Sequence, residues 1–217
     1  MLGARTAAWG GKDLPYDAEV EWIGTSYYPN NAPQQYSIDT GFVIGDRNDI
    51  VITCDASVPR PIQWSSLFIS YISEVAQSTR VICYSGTTNL YCGYRRRANR
   101  QTLLNIDIRP RNVYRLTQSQ IEINGIVYDI NPPSGTENYS NLCIFSRSDG
   151  RYSYSAERMV YSFKIESTGG EVYFDGIPVL KDGVAYMYDR VSGKLFGNAL
   201  DGVFTFGPNK ASAGGWY

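Results

Sequence analysis

Ten consecutive residues, Tyr91-Cys92-Gly93-Tyr94-Arg95-Arg96-Arg97-Ala98-Asn99-Arg100, hold four arginines and two tyrosines. Guanidinium groups offer forked donors to carboxylates and hydroxyls, and phenol rings stack on the apolar faces of sugars. The composition suits an acidic glycan or a sugar ring. A solvated hairpin rim, or a patch that pairs with Asp and Glu of a neighbouring subunit, would use the same residues. Nucleic acid is excluded by the wider balance: with 20 basic and 21 acidic residues the net charge is −1, and no basic field supports the patch. A second aromatic group, Tyr27-Tyr28-Pro29-Asn30-Asn31, combines two phenols with amide side chains. That is sugar-binding chemistry too, and equally an ordinary tether for a long loop. The candidate glycan-binding residues are Tyr27, Tyr28, Tyr91, Tyr94, Arg95 and Arg97.

Catalysis finds less to work with. The chain has no histidine, so nucleophilic triads and most acid–base schemes lose their usual base. Glycoside hydrolysis needs only two carboxylates, and Glu19-Val20-Glu21 places two on one face of a strand, about 7 Å apart. The acid–x–acid–x–acid strand of sandwich-fold glycosidases needs a third, and Ile23 stands there instead. An exposed strand face is the better reading, and no enzyme is expected. Asp46, Asn48 and Asp49 form the one compact set of oxygen ligands for calcium, but Asp and Asn beside Gly45 are ordinary turn formers. No metal or cofactor is expected.

The cysteines, Cys54, Cys83, Cys92 and Cys143, include no CxxC pair. Cys83 and Cys92 flank a turn-forming stretch, so two paired strands could bring them face to face; small buried thiols are favoured over that bridge. No apolar run approaches the roughly 18 residues that span a membrane, and Met1 to Leu14 lacks the apolar core of a secretory signal, so neither membrane insertion nor classical export is expected.

Strands must carry whatever site exists. Short β-branched and aromatic runs recur along the chain with turn residues between them. The sharpest turn is Asn124-Gly125, set between Ile121-Glu122-Ile123 and Ile126-Val127-Tyr128, where a two-residue type I′ hairpin is expected. Trp64, Leu67, Phe68, Tyr71, Ile72 and Val75 recur at helical spacing, but the serines between them and the strand preference of Ile69, Tyr71 and Ile72 favour a strand. At 217 residues this is one all-β domain, a sandwich or jelly roll.

The two ends of that domain resemble a known family. Val184-Ala185-Tyr186-Met187-Tyr188-Asp189-Arg190-Val191-Ser192-Gly193-Lys194-Leu195-Phe196-Gly197-Asn198, followed by Gly202-Val203-Phe204-Thr205-Phe206-Gly207-Pro208, resembles the closing motif of lectin-like β-sandwich domains. These are common in phage structural proteins and gut-bacterial surface proteins. Leu14-Pro15-Tyr16-Asp17-Ala18-Glu19-Val20-Glu21-Trp22-Ile23 and Tyr36-Ser37-Ile38-Asp39-Thr40-Gly41-Phe42 resemble the family's opening, with a longer insert, Gly24 to Gln35, between them. Ser162-Phe163-Lys164-Ile165 and Phe174-Asp175-Gly176-Ile177-Pro178-Val179 resemble two of its inner strands.

The resemblance implies a concanavalin A-like, laminin-G-like fold, a two-sheet antiparallel jelly-roll sandwich over residues 14–209. Residues 1–13 would form a flexible arm and 210–217 a tail. It implies a non-enzymatic lectin-like protein on the surface or tail of a phage virion, assembled in the host cytoplasm. Its partners would be host-surface glycan or other virion proteins, and it would work as a homo-oligomer, with a trimer favoured. The competing reading is a carbohydrate-binding or glycan-processing domain on a gut-bacterial surface.

Overall fold

Alternation of apolar residues builds this protein. In the segment from Ile50 to Val58, Ile50, Ile52, Cys54, Ala56 and Val58 are all buried, and the residues between them include half-buried Thr53 and Asp55. Period-2 burial of that kind is stable only as a strand with one face on a core. The computed structural model describes residues 14–27, 35–61, 66–71, 77–84, 89–97, 102–131, 138–146 and 156–210, and it contains no helix among them.

In chain order the strands are β1 (Ala18–Glu19), β2 (Ile23–Thr25), β3 (Ile38–Gly45) and β4 (Ile50–Arg60). A meander follows, β5 (Ser66–Tyr71), β6 (Gln77–Tyr84), β7 (Asn89–Arg97) and β8 (Thr102–Asn105). Then come β9 (Asn112–Leu116), β10 (Gln120–Ile123), β11 (Ile126–Asp129) and β12 (Asn138–Ile144). The chain closes with β13 (Glu157–Ser167), β14 (Val172–Lys181), β15 (Val184–Asp189), β16 (Lys194–Phe196) and β17 (Thr205–Phe206).

These strands form two antiparallel sheets. The large one runs β11-β10-β9-β4-β13-β14-β15-β16, with β1, β2 and β17 attached, and the small one runs β3-β12-β5-β6-β7-β8. One hydrophobic cluster draws on both: Ile52, Tyr114, Phe163 and Ile165 from the large sheet, Ile38, Phe68, Leu90 and Ile144 from the small one. Phe68 meets Phe163 edge-on at 5.6 Å, and Phe163 meets Phe174 at 6.2 Å. The architecture is an all-β, sandwich-like pair of sheets.

A buried guanidinium crosses between them. Arg158 of β13 is fully buried, the bulkiest side chain so placed among the described residues. Its Nη1 donates to the carbonyls of Ser66 (3.0 Å) and Phe145 (2.6 Å), and its Nε donates to Thr25 Oγ1 (3.2 Å). Phe145 has φ 73°, a left-handed conformation that a bulky residue avoids unless its surroundings impose it. Its carbonyl also accepts from Ser66 Oγ, and its ring lies 5.3 Å from the guanidinium carbon.

The two ends of the chain are woven together. β13 and β14 pair from Phe163↔Gly176 to Glu166↔Val172 and then diverge. Into that fork runs the opening segment: β1 pairs with β14 at Glu19↔Val179, and β2 pairs with β13 at Val160↔Ile23. The closing strand β17 lies on the far side of β2, with Phe206 opposite Ile23. Lys210 N–H donates to the Glu19 carbonyl, which ties residue 210 to the opening segment.

The family-like residues hold this weave. Asn198 Nδ2 donates to the carbonyls of Gln35 and Gly202, and its Oδ1 accepts from the N–H of Ser37 and Leu200. Asp189, 2% exposed, accepts from the N–H groups of Asp175, Val191 and Ser192 and from the Ser192 hydroxyl. At Gly202 a Cβ would lie 2.7 Å from the Gln35 carbonyl, so any side chain would push the two segments apart.

Several expectations hold. Residues 66–71 are strand β5, with Leu67, Phe68 and Ile69 buried; the flanks of the Trp64–Val75 segment lie outside the described residues. Asn124 and Gly125 have φ 51° and 83°, both positive as a type I′ turn requires. Cys54, Cys92 and Cys143 are free, buried thiols. The pairing of Cys83 with Cys92 fails on register, since Cys83 stands opposite Leu90 and Cys92 opposite Val81.

Three predictions follow from burial. Arg158→Met keeps the volume but removes the donors to the Ser66 and Phe145 carbonyls and the Thr25 hydroxyl, and urea denaturation should show a loss of about 2–3 kcal/mol. Burial raises the Cys54 thiol above its ordinary value and pushes Cys92 up to about 12 from 9.0. Both stay protonated in the folded state while an unfolded chain releases their protons above pH 9, so stability should fall between pH 9 and 12. Thiol-labelling with Ellman's reagent at pH 8 should leave Cys54, Cys92 and Cys143 unreacted until denaturant is added.

Candidate functional site

The structure separates the candidate residues. Tyr27 follows β2 in the large sheet and is exposed; the Arg60 guanidinium lies 5.5 Å over its ring and pairs with Glu157 at 3.4 Å. Tyr28 lies outside the described residues. Tyr91 is half-buried on β7 of the small sheet, opposite Ile82 and Leu103. Tyr94 is a correction: it is fully buried, and its hydroxyl donates to the Arg47 carbonyl at 2.8 Å. It is a core residue that ties β7 to the β3–β4 turn, and no ligand reaches its ring.

Arg95 and Arg97 lie within β7, not on a loop rim. Between Gly93 and Arg96 the strand carries one residue more than the facing stretch of β6, Ser78 to Arg80. The extra residue is a β-bulge. With the Tyr94 ring in the core, Tyr91 and Tyr94 do not form one stacking platform.

The calcium candidates fare similarly. Asp49 is held by Arg47 through two bonds, Nε to Oδ1 at 3.1 Å and Nη2 to Oδ2 at 3.2 Å, and this contact keeps its carboxyl below the ordinary value. Arg47 also donates to the Tyr173 hydroxyl and stacks on that ring at 4.3 Å. A cation is thus already in place, the side chain of the same turn. Among the described residues no group of three or more His, Cys, Asp or Glu is arranged to hold a metal ion.

A different set of residues does converge, on the large sheet along the opening segment. At one end Tyr16 and Tyr188 lie 4.9 Å apart, tilted by 58°. The Tyr16 hydroxyl donates to Glu19 at 3.3 Å; burial and then the Glu19 charge raise its pKa. Beside them Arg190 grips Asp175 with two bonds of 2.9 Å, and Lys210 faces Glu19 at 3.7 Å. The Asp175 bond first, with Glu19 and Tyr16 adding, raises the Arg190 pKa.

At the other end the Arg111 guanidinium lies 4.0 Å over the Tyr161 ring and grips Asp55 with bonds of 2.8 and 2.6 Å. The Asp55 bond, with Tyr161 and Glu21 adding, raises the Arg111 pKa. Tyr161 is placed by a bulge. Val160 pairs with Ala56 and Ser162 with Asp55, which leaves Tyr161 as the extra residue at the point where β13 exchanges β2 for β14. The rings of Tyr16, Tyr161 and Tyr188 are half-buried, and Arg111 and Arg190 are more than half exposed. Glu19 and Glu21, flanking buried Val20, connect the two ends.

Tyr16 and Tyr188 stand inside the motifs that carry the family resemblance, and Tyr161 stands just before one of them, so their types alone did not mark a site. The alternation of Tyr186 and Tyr188 marks a strand face, but nothing in the sequence announces the bulge at Tyr161. No protein-family model matches the chain, and no curated protein sequence matches it. Function must be argued from the frame and this face.

The reassignment of Tyr94 is measurable. Tyr94→Ala should cost about 3–5 kcal/mol in chemical denaturation, the range for deleting a buried aromatic ring. Tyr94→Phe should cost about 1 kcal/mol for the lost bond to Arg47.

Proposed function

We propose that this protein is a non-enzymatic, lectin-like module of a phage particle that contacts host-surface glycan or neighbouring structural subunits. Its two sheets would be the jelly roll of the concanavalin A-like, laminin-G-like domains. The observation that carries this reading is the division of labour among the family-like residues. Asp189, Gly202 and Asn198 are used up in bonding or packing within the frame, while tyrosines of the same segments stand half-buried on its surface. That is the design of a rigid scaffold presenting a contact surface.

Glu19 fits the same reading. A glycosidase acid or nucleophile needs a carboxylate facing substrate, whereas Glu19 is engaged by Tyr16 and Lys210. The phage setting rests on the resemblance of the opening and closing segments, as does the homotrimer favoured for such particle proteins.

The test pairs a glycan array with multi-angle light scattering on the full chain. Selective binding of a saccharide class by a stable homo-oligomer, with no release of reducing ends from the bound glycan, is the expected result. A monomer at micromolar concentration that binds no glycan and no particle protein would sink the proposal.

A further inference from the structure

The face that runs from Arg111 to Arg190 has a composition that selects its ligand. Two groups lie along it: at one end the Tyr161 ring with Arg111 and Asp55, at the other the Tyr16–Tyr188 ring pair, with the Arg190–Asp175 ion pair two residues on from Tyr188. The opening segment runs between them: Ile23 stands opposite Val160, next to Tyr161, while Glu19 stands opposite Val179 and accepts from Tyr16, whose ring meets Tyr188. Glu19 and Glu21 are two residues apart in an extended chain, which separates their Cα atoms by about 7 Å. The two units are therefore neighbours along one line and not separate surface features.

Charge then decides among ligands. Each arginine is already gripped through two bonds by its own carboxylate, and Lys210 faces Glu19. Among the described residues the band and its flank hold four cations, Arg111, Arg190, Lys210 and Lys164, which stands opposite Asp175, against five carboxylates, Asp55, Asp175, Glu19, Glu21 and the Glu166 that pairs with Lys164. An anionic ligand would have to displace a bidentate carboxylate and then face the one left over. A neutral ligand meets no such cost. Paired guanidinium and carboxylate groups offer donors and acceptors side by side, which is what adjacent hydroxyls of a sugar require. Half-buried rings offer apolar faces without a large ordering cost.

We propose that this band binds an extended neutral glycan chain, with a sugar unit against Tyr161 and Arg111 and a further unit against Tyr188 and Arg190. This rests on the lectin-like reading above and narrows it to one surface and one ligand class. Binding is multivalent along the chain, so it strengthens with glycan length. It is nearly independent of salt, because no net charge is exchanged.

The experiment uses the full-length protein on an array of neutral and acidic oligosaccharides from one to six residues long, followed by calorimetry on the best ligand. The expected ligand is a neutral oligosaccharide whose tetramer or hexamer binds at least tenfold more tightly than its dimer. Tyr161→Ala and Tyr188→Ala should each weaken it at least tenfold, Tyr188→Phe should retain binding, and 0.5 M salt should change affinity less than twofold. Melting temperatures of the variants separate a lost ring from a lost fold; should either alanine variant unfold, Arg111→Gln and Arg190→Gln replace it and should weaken binding likewise. Preference for an acidic glycan, or neutral binding that survives the substitutions in both units, overturns the band while leaving the lectin-like reading intact. Absence of any glycan binding by the wild-type chain overturns the band and the glycan half of that reading, leaving only contact with a particle protein.

Discussion

A charge buried between two sheets sets the terms for this fold. Arg158 reaches from β13 across the interface to carbonyls at the start of β5 and just past the end of β12, and takes in Thr25 of β2 on its way. A guanidinium out of water is costly unless its donors are met, and the lattice of acceptors around it is met only when both sheets are in register. Apolar side chains would tolerate a sliding of one sheet over the other. A forked donor with fixed directions does not. The left-handed Phe145 is the local consequence, since its carbonyl must turn toward both Arg158 and Ser66.

Around that staple the ends of the chain close the large sheet. Asn198 uses both atoms of its amide on four backbone groups, Asp17 accepts from the Asp182 N–H at 2.7 Å, and Asp201 accepts from the Gln35 N–H at 3.1 Å. Segments far apart in sequence thus become one local structure. The same weave fixes the surface above it. Tyr161 stands at the bulge that the fork between β13 and β14 demands, and Tyr16 meets Tyr188 because the opening segment lies beside β14.

Much of this was legible in the sequence, and the limits have physical reasons. Strand alternation, the Asn124-Gly125 turn and the strand at 66–71 depend on local preferences, which a sequence displays directly. The Asp189 turn announced itself through the Asp, Ser and Gly that such turns need. Tyr94 did not, because tyrosine beside arginine reads the same whether the ring points inward or outward. Its position in the two-residue alternation with Leu90 and Cys92 was the available signal, and the arginine run masked it. Arg158 was out of reach altogether: nothing around it in the sequence distinguishes a buried arginine from an exposed one. The Tyr161 bulge depends on which strand lies alongside, a property of topology.

The fork between β13 and β14 also orders events in time. β2 has its partners at 158–160 and 205–206, so the opening segment leaves the ribosome long before anything exists to receive it. At about 5–20 residues per second that wait is on the order of ten seconds or more. During it the meander of β5 to β8, built from neighbouring hairpins, can assemble, while the large sheet cannot be completed. Loop-closure entropy makes such distant pairings the slow ones. The nascent opening segment is therefore an unpaired strand in search of an edge, and the arrival of β17 is what locks it in place.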